Sequence, residues 1–376
     1  MRKTMTALIL TLGLAVSVTA CGGATSASTS AKEAAGAELL PMPVVDATDG
    51  LRIDGELIAD KKLYEAAKND TVRLYSGTGK EAEDLTDARF SAETGIKVDL
   101  TRLPTNKLAE RALSEAGAGK LEAGVIRMTD VRIAREFTNK NIFVPYRTPF
   151  HDALVAQKAG ARDTFVNCYY FVNAMAYNSA AIEKDPPTKW EDLTDPKYKG
   201  KLGINAITTG GTLNALAHFQ ISTFGPEFLQ AQGKLQPRIF DTTATQVDAM
   251  ARGEITVGPV SFNNAFATEL AGAPIKLVIP EKGVSASEGV MGLTPKGLQS
   301  PAAQVFMNWT MSKAGQRFAG AQGFAPSRTD IEPVKAGEYE LPKADSPRFH
   351  LFTEEDFAKY ADADEKVWKQ AFNYMG

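Results

Sequence analysis

The sequence predicts an α/β protein of two lobes joined by crossing strands. Strand-like and helix-like segments alternate through residues 71–139 and again through 202–270, and a long aromatic, strand-like run lies between them at 164–178. Turns rich in Ser, Thr, Gly and Asn follow strand after strand. Such alternation builds a mostly parallel sheet with helices on its faces.

In chain order, 56–69 reads as a helix, with Leu57, Leu63 and Ala66 at turn-like spacing and Asn69 as its stop. Residues 71–75 alternate as a strand, 76–79 break it, and 81–94 form a helix that ends at Gly95. A strand at 96–100, a helix at 106–115, a strand at 124–128 and a helix at 131–139 complete the first unit. The second unit runs strand 202–204, helix 212–224, strand 238–240, helix 245–252, strand 256–259 and helix 263–270. Strands at 275–279 and 289–294 and helices at 301–312 and 315–322 follow. A Pro- and charge-rich tail, 332–347, leads to a last helix at 354–374. The expected division is 51–172 with 274–376 as lobe 1 and 173–273 as lobe 2, with the hinge at the crossings 171–174 and 273–278.

The first residues carry a different message. Arg2 and Lys3 precede an apolar run from Ala7 to Val18, and small residues then lead to Cys21, which is the layout of an export signal. The run is too short to span a bilayer, which takes roughly 20 residues. The V-T-A-C ending resembles a bacterial lipobox, so residues 1–20 are expected to be removed and Cys21 lipidated. Residues 21–50 are expected to form a flexible tether, their early part being almost all Gly, Ala, Ser and Thr. The expected address is extracytoplasmic, with the bilayer touched only through Cys21.

The 376-residue chain carries a formal charge of −3, or −5 once Arg2 and Lys3 are removed, which argues against nucleic acid as a partner. Cys168 is the second of two cysteines, so no internal disulfide is expected, and its apolar surroundings predict a buried thiol. His151, His218 and His350 show no metal-ligand spacing.

Ligand candidates are the polar turns that open helices, where free N–H groups attract negative or strongly polar groups. They are Ser76, Gly77 and Thr78; Thr129 and Asp130; Thr209, Gly210 and Thr212; Thr243 and Thr245; and Ser261, Asn263 and Asn264. Asp130 reads equally as a plain helix cap. Asp130 or Glu288 is the expected partner of an ammonium if the ligand is zwitterionic. A rival reading exists: Gly77-Thr78-Gly79-Lys80-Glu81-Ala82 fits a dinucleotide fingerprint, with Asp99 at the end of the next strand.

The segments A-D-K-K-L-Y-E-A-A-K-N-D-T-V-R-L-Y-S-G-T-G (residues 59–79), F-S-A-E-T-G-I-K-V (90–98) and above all the Y-N, P-x-x-W-x-D-L and D-P-K-x-K-G-K pattern within 176–202 resemble bacterial extracellular solute-binding proteins of ABC importers. The ferric-iron-binding branch is the nearest in pattern. D-A-M-A-R-G-E (248–254) and F-M-N-W-T-M-S-K-A-G-Q (306–316) fit as well. The resemblance implies a type II periplasmic-binding-protein fold, a monomer with one ligand between its lobes, delivery to ABC permease and ATPase subunits, no cofactor and no catalysis. It also exposes a departure. Iron-binding members carry adjacent tyrosines where this chain reads Pro259-Val260-Ser261-Phe262-Asn263-Asn264. The expectation is therefore a small polar or anionic solute, such as an organic acid or a phosphonate-like compound. Ferric iron bound through Tyr169 and Tyr170, or as a complex, is the alternative; an exported NAD-linked enzyme is a weaker one.

Overall fold

The computed structural model describes residues 39–375; the signal, Cys21 and most of the expected tether lie outside them. Residues 39–50, counted with the tether, are tied to the fold. Strand β1 (Val45–Asp46) pairs with β2 (Leu51–Ile53), and the Arg89 guanidinium donates to the carbonyls of Leu40 and Pro41.

The helix expected at 56–69 is a strand and a shorter helix. β3 (Glu56–Ala59) turns back on β2, and Asp60 then caps α1 (Lys61–Ala67) by accepting from the Leu63 amide at 2.8 Å. Two periods meet at Asp60, so a single helical spacing was the wrong template.

The march that follows was well marked. It comprises β4 (Thr71–Ser76), α2 (Lys80–Thr94), β5 (Lys97–Arg102), α3 (Thr105–Gly117), β6 (Val125–Met128) and α4 (Val131–Asn139); a short helix that was not expected, α5 (His151–Ala156), follows. β5, β4 and β6 are parallel neighbours, as strand–helix–strand units require. Gly95 ends α2 in the left-handed conformation, φ 74°, that its position in the sequence promised.

β7 (Val166–Asn178) is the long crossing strand. The second unit holds β8 (Gly203–Asn205), α6 (Gly211–Phe224), α7 (Pro226–Lys234), β9 (Arg238–Phe240), α8 (Thr243–Ala251), β10 (Val257–Ser261), α9 (Phe262–Leu270) and β11 (Ile275–Val278). α7 was missed, although Gly225-Pro226 marks its start. Then come β12 (Val284–Leu293), α10 (Pro295–Leu298), α11 (Pro301–Met311), α12 (Lys313–Ala321), β13 (Phe349–Phe352) and α13 (Glu354–Phe372).

One eight-stranded sheet joins the two halves. β7 pairs with β12 along residues 166–173, then with β10 and β11 along 173–178. β12 pairs with β6 at one end and with β13 at the other. The second crossing is therefore β12, whose strand begins five residues earlier than the expected 289, and not the stretch 273–278. β11 pairs with the second half of β7, and α13 packs on α6 and α7, with Trp368 joining the core around Trp190, Phe219 and Phe228. Both elements sit with the second half, although the expected boundary at 274 assigned them to lobe 1. A core under the first half is built on Phe90, Phe306 and Trp309, with ring centroids 5.0 and 5.4 Å from Phe90.

Candidate functional site

A cavity of about 300 Å³ lies between the two halves. Five helices point their N-termini at it: α2 and α3 from the first half, α6, α8 and α9 from the second. Each follows a strand of the sheet or of the short β8–β9 pair, so topology alone delivers these helix starts to one place. In four of the five, no side chain caps the first turn: the cap positions are Gly79, Pro104, Gly210 and Ser261. Only α8 is capped, by the Thr242 hydroxyl. Of the eight other helices that lie within the described residues, six (α1, α4, α10, α11, α12 and α13) begin with an Asp, Ser or Thr whose side chain accepts from the helix, and two, α5 and α7, do not. The helices that face the cavity leave their amides for something else, and the unsatisfied N–H groups give it a positive potential.

Of the residues singled out in the sequence, Gly77, Thr78, Thr129, Thr209, Gly210, Thr212, Thr243, Ser261 and Asn264 line this one cavity. The other five do not. The Ser76 hydroxyl is buried, accepts the Thr78 amide at 3.0 Å and donates to the Glu83 carboxylate. Asp130 caps α4 and is gripped by the Arg132 guanidinium at 2.8 Å, which favours the plain-cap reading. Thr245 turns its hydroxyl to the Thr242 carbonyl. Asn263 is buried, accepting from Ser261 at 2.8 Å and donating to Asn264 at 3.3 Å. Glu288, offered for an ammonium, is held by Arg162 at 2.8 Å away from the cavity.

The lining also contains Gly79, Lys80, Glu81, Arg102, Pro104, Thr105, Phe171, Asn173, Leu213, Thr242 and Ala244. The Leu103-Pro104-Thr105 helix start has the same strand-then-helix signal as the others and was legible. Phe171 and Asn173 were read as hinge only. They also form part of the wall, and Asn173 ties β7 to α6 by donating to the Thr212 carbonyl at 3.0 Å. Arg102 ends β5, and its Nε donates to the Thr78 carbonyl at 3.0 Å. Burial lowers its hold on its proton, opposed by Glu81 and Glu83. Among the described residues no carboxylate forms an ion pair with it.

Beneath the turn at 76–79 lies a buried network. Arg127 donates to both Glu83 oxygens, at 2.9 and 3.1 Å, and to the Tyr169 hydroxyl at 3.3 Å; its carbonyl accepts the Gly77 amide. Burial alone would loosen the Arg127 proton, but the acidic groups around it, Glu83 first, then Tyr169, Cys168 and Asp87, together more than offset this. The Tyr169 hydroxyl bonds to Thr78 Oγ1 at 3.2 Å, and its ring stacks on Phe324. Burial raises both tyrosine hydroxyls, Tyr170 to about 12, and neither ring lines the cavity. Cys168 is buried as expected, its thiol donating to the Gly289 carbonyl and pushed up to about 12 by burial.

Asp87, one turn beyond Glu83 on α2, has its carboxyl raised well above 3.8 by burial and by the Glu83 charge. The folded protein thus holds this proton more tightly than the unfolded chain. The cost of ionising it is absent below the ordinary value, grows as pH rises through the raised one, and is complete above it. Asp87→Asn is expected to melt at a higher temperature than the parent at pH 8, the gain shrinking to nothing as pH falls toward 3.8. A gain independent of pH in calorimetry across that range contradicts this.

The dinucleotide reading loses its terms here. Asp99 lies inside β5, opposite Arg73, and does not line the cavity. The amides of Gly77 and Thr78 are already spent on Arg127 and Ser76. Among the described residues no group of three or more His, Cys, Asp or Glu is placed to hold a metal ion.

Comparison with known proteins agrees with this geometry. Residues 121–353 match the family of bacterial extracellular solute-binding proteins. An uncharacterised protein of Haemophilus influenzae is 28% identical over 235 residues, 59% of this chain and 66% of that one. Iron uptake protein A1 of Synechocystis sp. is 26% identical over 191 residues, 49% of this chain and 52% of that one. The alignments thus span just under two thirds and about half of these relatives' lengths. The periplasmic binding protein AfuA of Actinobacillus pleuropneumoniae, solved with fructose-6-phosphate bound, superposes with a TM-score of 0.61 at 20% identity, over 81% of this chain and 97% of that one. At that identity the likeness is one of fold, and the fold is the type II periplasmic-binding-protein fold. The chain belongs to the bacterial extracellular solute-binding proteins.

Proposed function

We propose that this protein is the substrate-binding component of an ABC importer, that it captures a small anionic solute between its lobes, and that it passes the solute on chemically unchanged. The supporting observation is the convergence of five helix N-termini from both halves, four of them uncapped, on a cavity that also holds Arg102. Eight Ser and Thr residues line the wall and suit hydroxyl or oxyanion groups, while Phe171 and Leu213 suit a short apolar stem. In this reading Cys21 carries a lipid anchor, and permease and ATPase subunits receive the solute.

Ferric iron is the second reading, motivated by the name of the Synechocystis relative. Its chemistry fits poorly. Fe³⁺ prefers anionic oxygen ligands, yet Glu81 is the sole acidic residue of the lining and no tyrosine belongs to it. A positive potential and an arginine oppose a bare cation.

Mass spectrometry of solute extracted from the purified protein names the ligand class. A thermal-shift panel of organic phosphates, phosphonates, carboxylates and ferric citrate then ranks it. At a hundredfold excess over Kd the true ligand should raise the melting temperature by roughly 3–8 °C. A shift with ferric salts and none with any organic anion replaces the first reading by the second.

A further inference from the structure

The two halves touch on either side of the cavity, and a glycine stands at each contact. Gly79, at the start of α2, faces Asn264 of α9; a Cβ there would lie 2.4 Å from Asn264 Oδ1 and 3.4 Å from its Cγ. Gly211, the first residue of α6, faces the end of β6; a Cβ there would lie 2.5 Å from the Thr129 carbonyl oxygen, 3.4 Å from the Asp130 Cα and 3.0 Å from the Phe357 ring. Neither glycine has a left-handed backbone. Their conformations are open to any residue, so close approach is what distinguishes these positions. The contacts differ in hardness. Asn264 is the tip of a side chain and can swing aside. The Thr129 carbonyl and Asp130 Cα are main chain at the end of a buried strand, and they yield only if the halves separate.

We propose that Gly211 is the closure stop of this cleft: the side chain it lacks lets the two lobes meet, a methyl group at 211 holds them apart, and the opposite flank, where Gly79 faces only the yielding tip of Asn264, reports whether they have met. The proposal rests on the two-lobed clamp described above. It adds that closure on the Gly211 flank is limited by main-chain contact with Thr129 and Asp130, which fixes how far the lobes travel.

A cross-link that needs no solute tests this. In a Gly79→Cys/Asn264→Cys protein, the two new thiols can join only when the flank opposite Gly211 is closed; Cys168 is buried and does not compete. Disulfide formation under a mild oxidant such as diamide is followed by gel mobility, with and without an added Gly211→Ala. Extra methyl groups in tight contacts cost enough to slow cross-linking by about tenfold or more, while the melting temperature of Gly211→Ala stays at or above the parent's, because alanine favours the first turn of α6. Equal cross-linking rates overturn the proposal. Should Gly211→Ala not fold, Gly210→Ala serves, since its Cβ would meet Thr129 Oγ1 at 3.2 Å. A smaller slowing then supports the proposal and none overturns it. Slowing, together with a parent protein that binds no organic anion of the panel, keeps the closure stop and removes the anionic-solute reading.

Discussion

Arg102→Gln is expected to weaken binding of the co-purifying solute by roughly tenfold to a hundredfold, the span set by the loss of one charge-assisted hydrogen bond. Arg102 is placed for this by its position at the end of β5, and by the Thr78 carbonyl, which takes its Nε at 3.0 Å and fixes the side chain along the wall. Its terminal nitrogens have no carboxylate partner among the described residues. Lys80 also lines the cavity, but Asp84 pairs with it at 2.7 Å, so Lys80→Gln is expected to matter less. Glutamine keeps polarity and most of the reach while removing the charge. Arg102→Lys should recover part of the loss, because the charge returns without the planar fork. Titration calorimetry at low and high salt reads the effect. An Arg102→Gln protein that binds as the parent does shows that Arg102 does not hold the solute's charge.

Much of this site was legible in the sequence because of what a helix start requires. A polar turn between a strand and a helix marks an N-terminus, and in a parallel α/β sheet those N-termini share one edge. Nine of the fourteen candidates reached the cavity by that logic. Four of the five failures share a cause. Ser76, Asp130, Thr245 and Asn263 are polar residues at the same turns, and a sequence does not say whether a hydroxyl or carboxylate serves the turn or the ligand. Here each is consumed by its own loop. Glu288 was chosen for its charge, and its partner Arg162 lies 126 residues away in sequence, beyond any local pattern. Arg102 was passed over because its strand was read as ending at 100; two more residues carry β5 to the cavity. The fold itself was plainer, since its alternation is local. The lobe boundary was not, because it depends on which edge of β7 takes β11 and on where α13 docks, both settled by tertiary packing.

Arg127→Leu is expected to destabilise the protein by about 3–5 kcal/mol, the range for breaking a buried ion pair from one side. The fall in melting temperature should be roughly 5–15 °C. The side chain is buried beneath the turn at 76–79, near the rings of Tyr169 and Phe306. Removing it strands Glu83 next to Asp87, and a second uncompensated carboxyl must then take up a proton or water must enter. Stability and binding should separate in a second variant. Arg127→Leu combined with Glu83→Leu removes both charges, and apolar replacement of a buried pair is often neutral, so most of the melting temperature should return. Binding should not. Glu83 is the acceptor that orients the Ser76 hydroxyl, and that hydroxyl takes the Thr78 amide and shapes the turn leading into α2. Without Glu83 the turn loses its support from below, and the first amides of α2 lose their aim. A double variant that melts near the parent's temperature and binds several-fold to tenfold more weakly identifies the network as the support of the binding turn. One that binds as tightly as the parent shows that Arg127 and Glu83 serve the core alone.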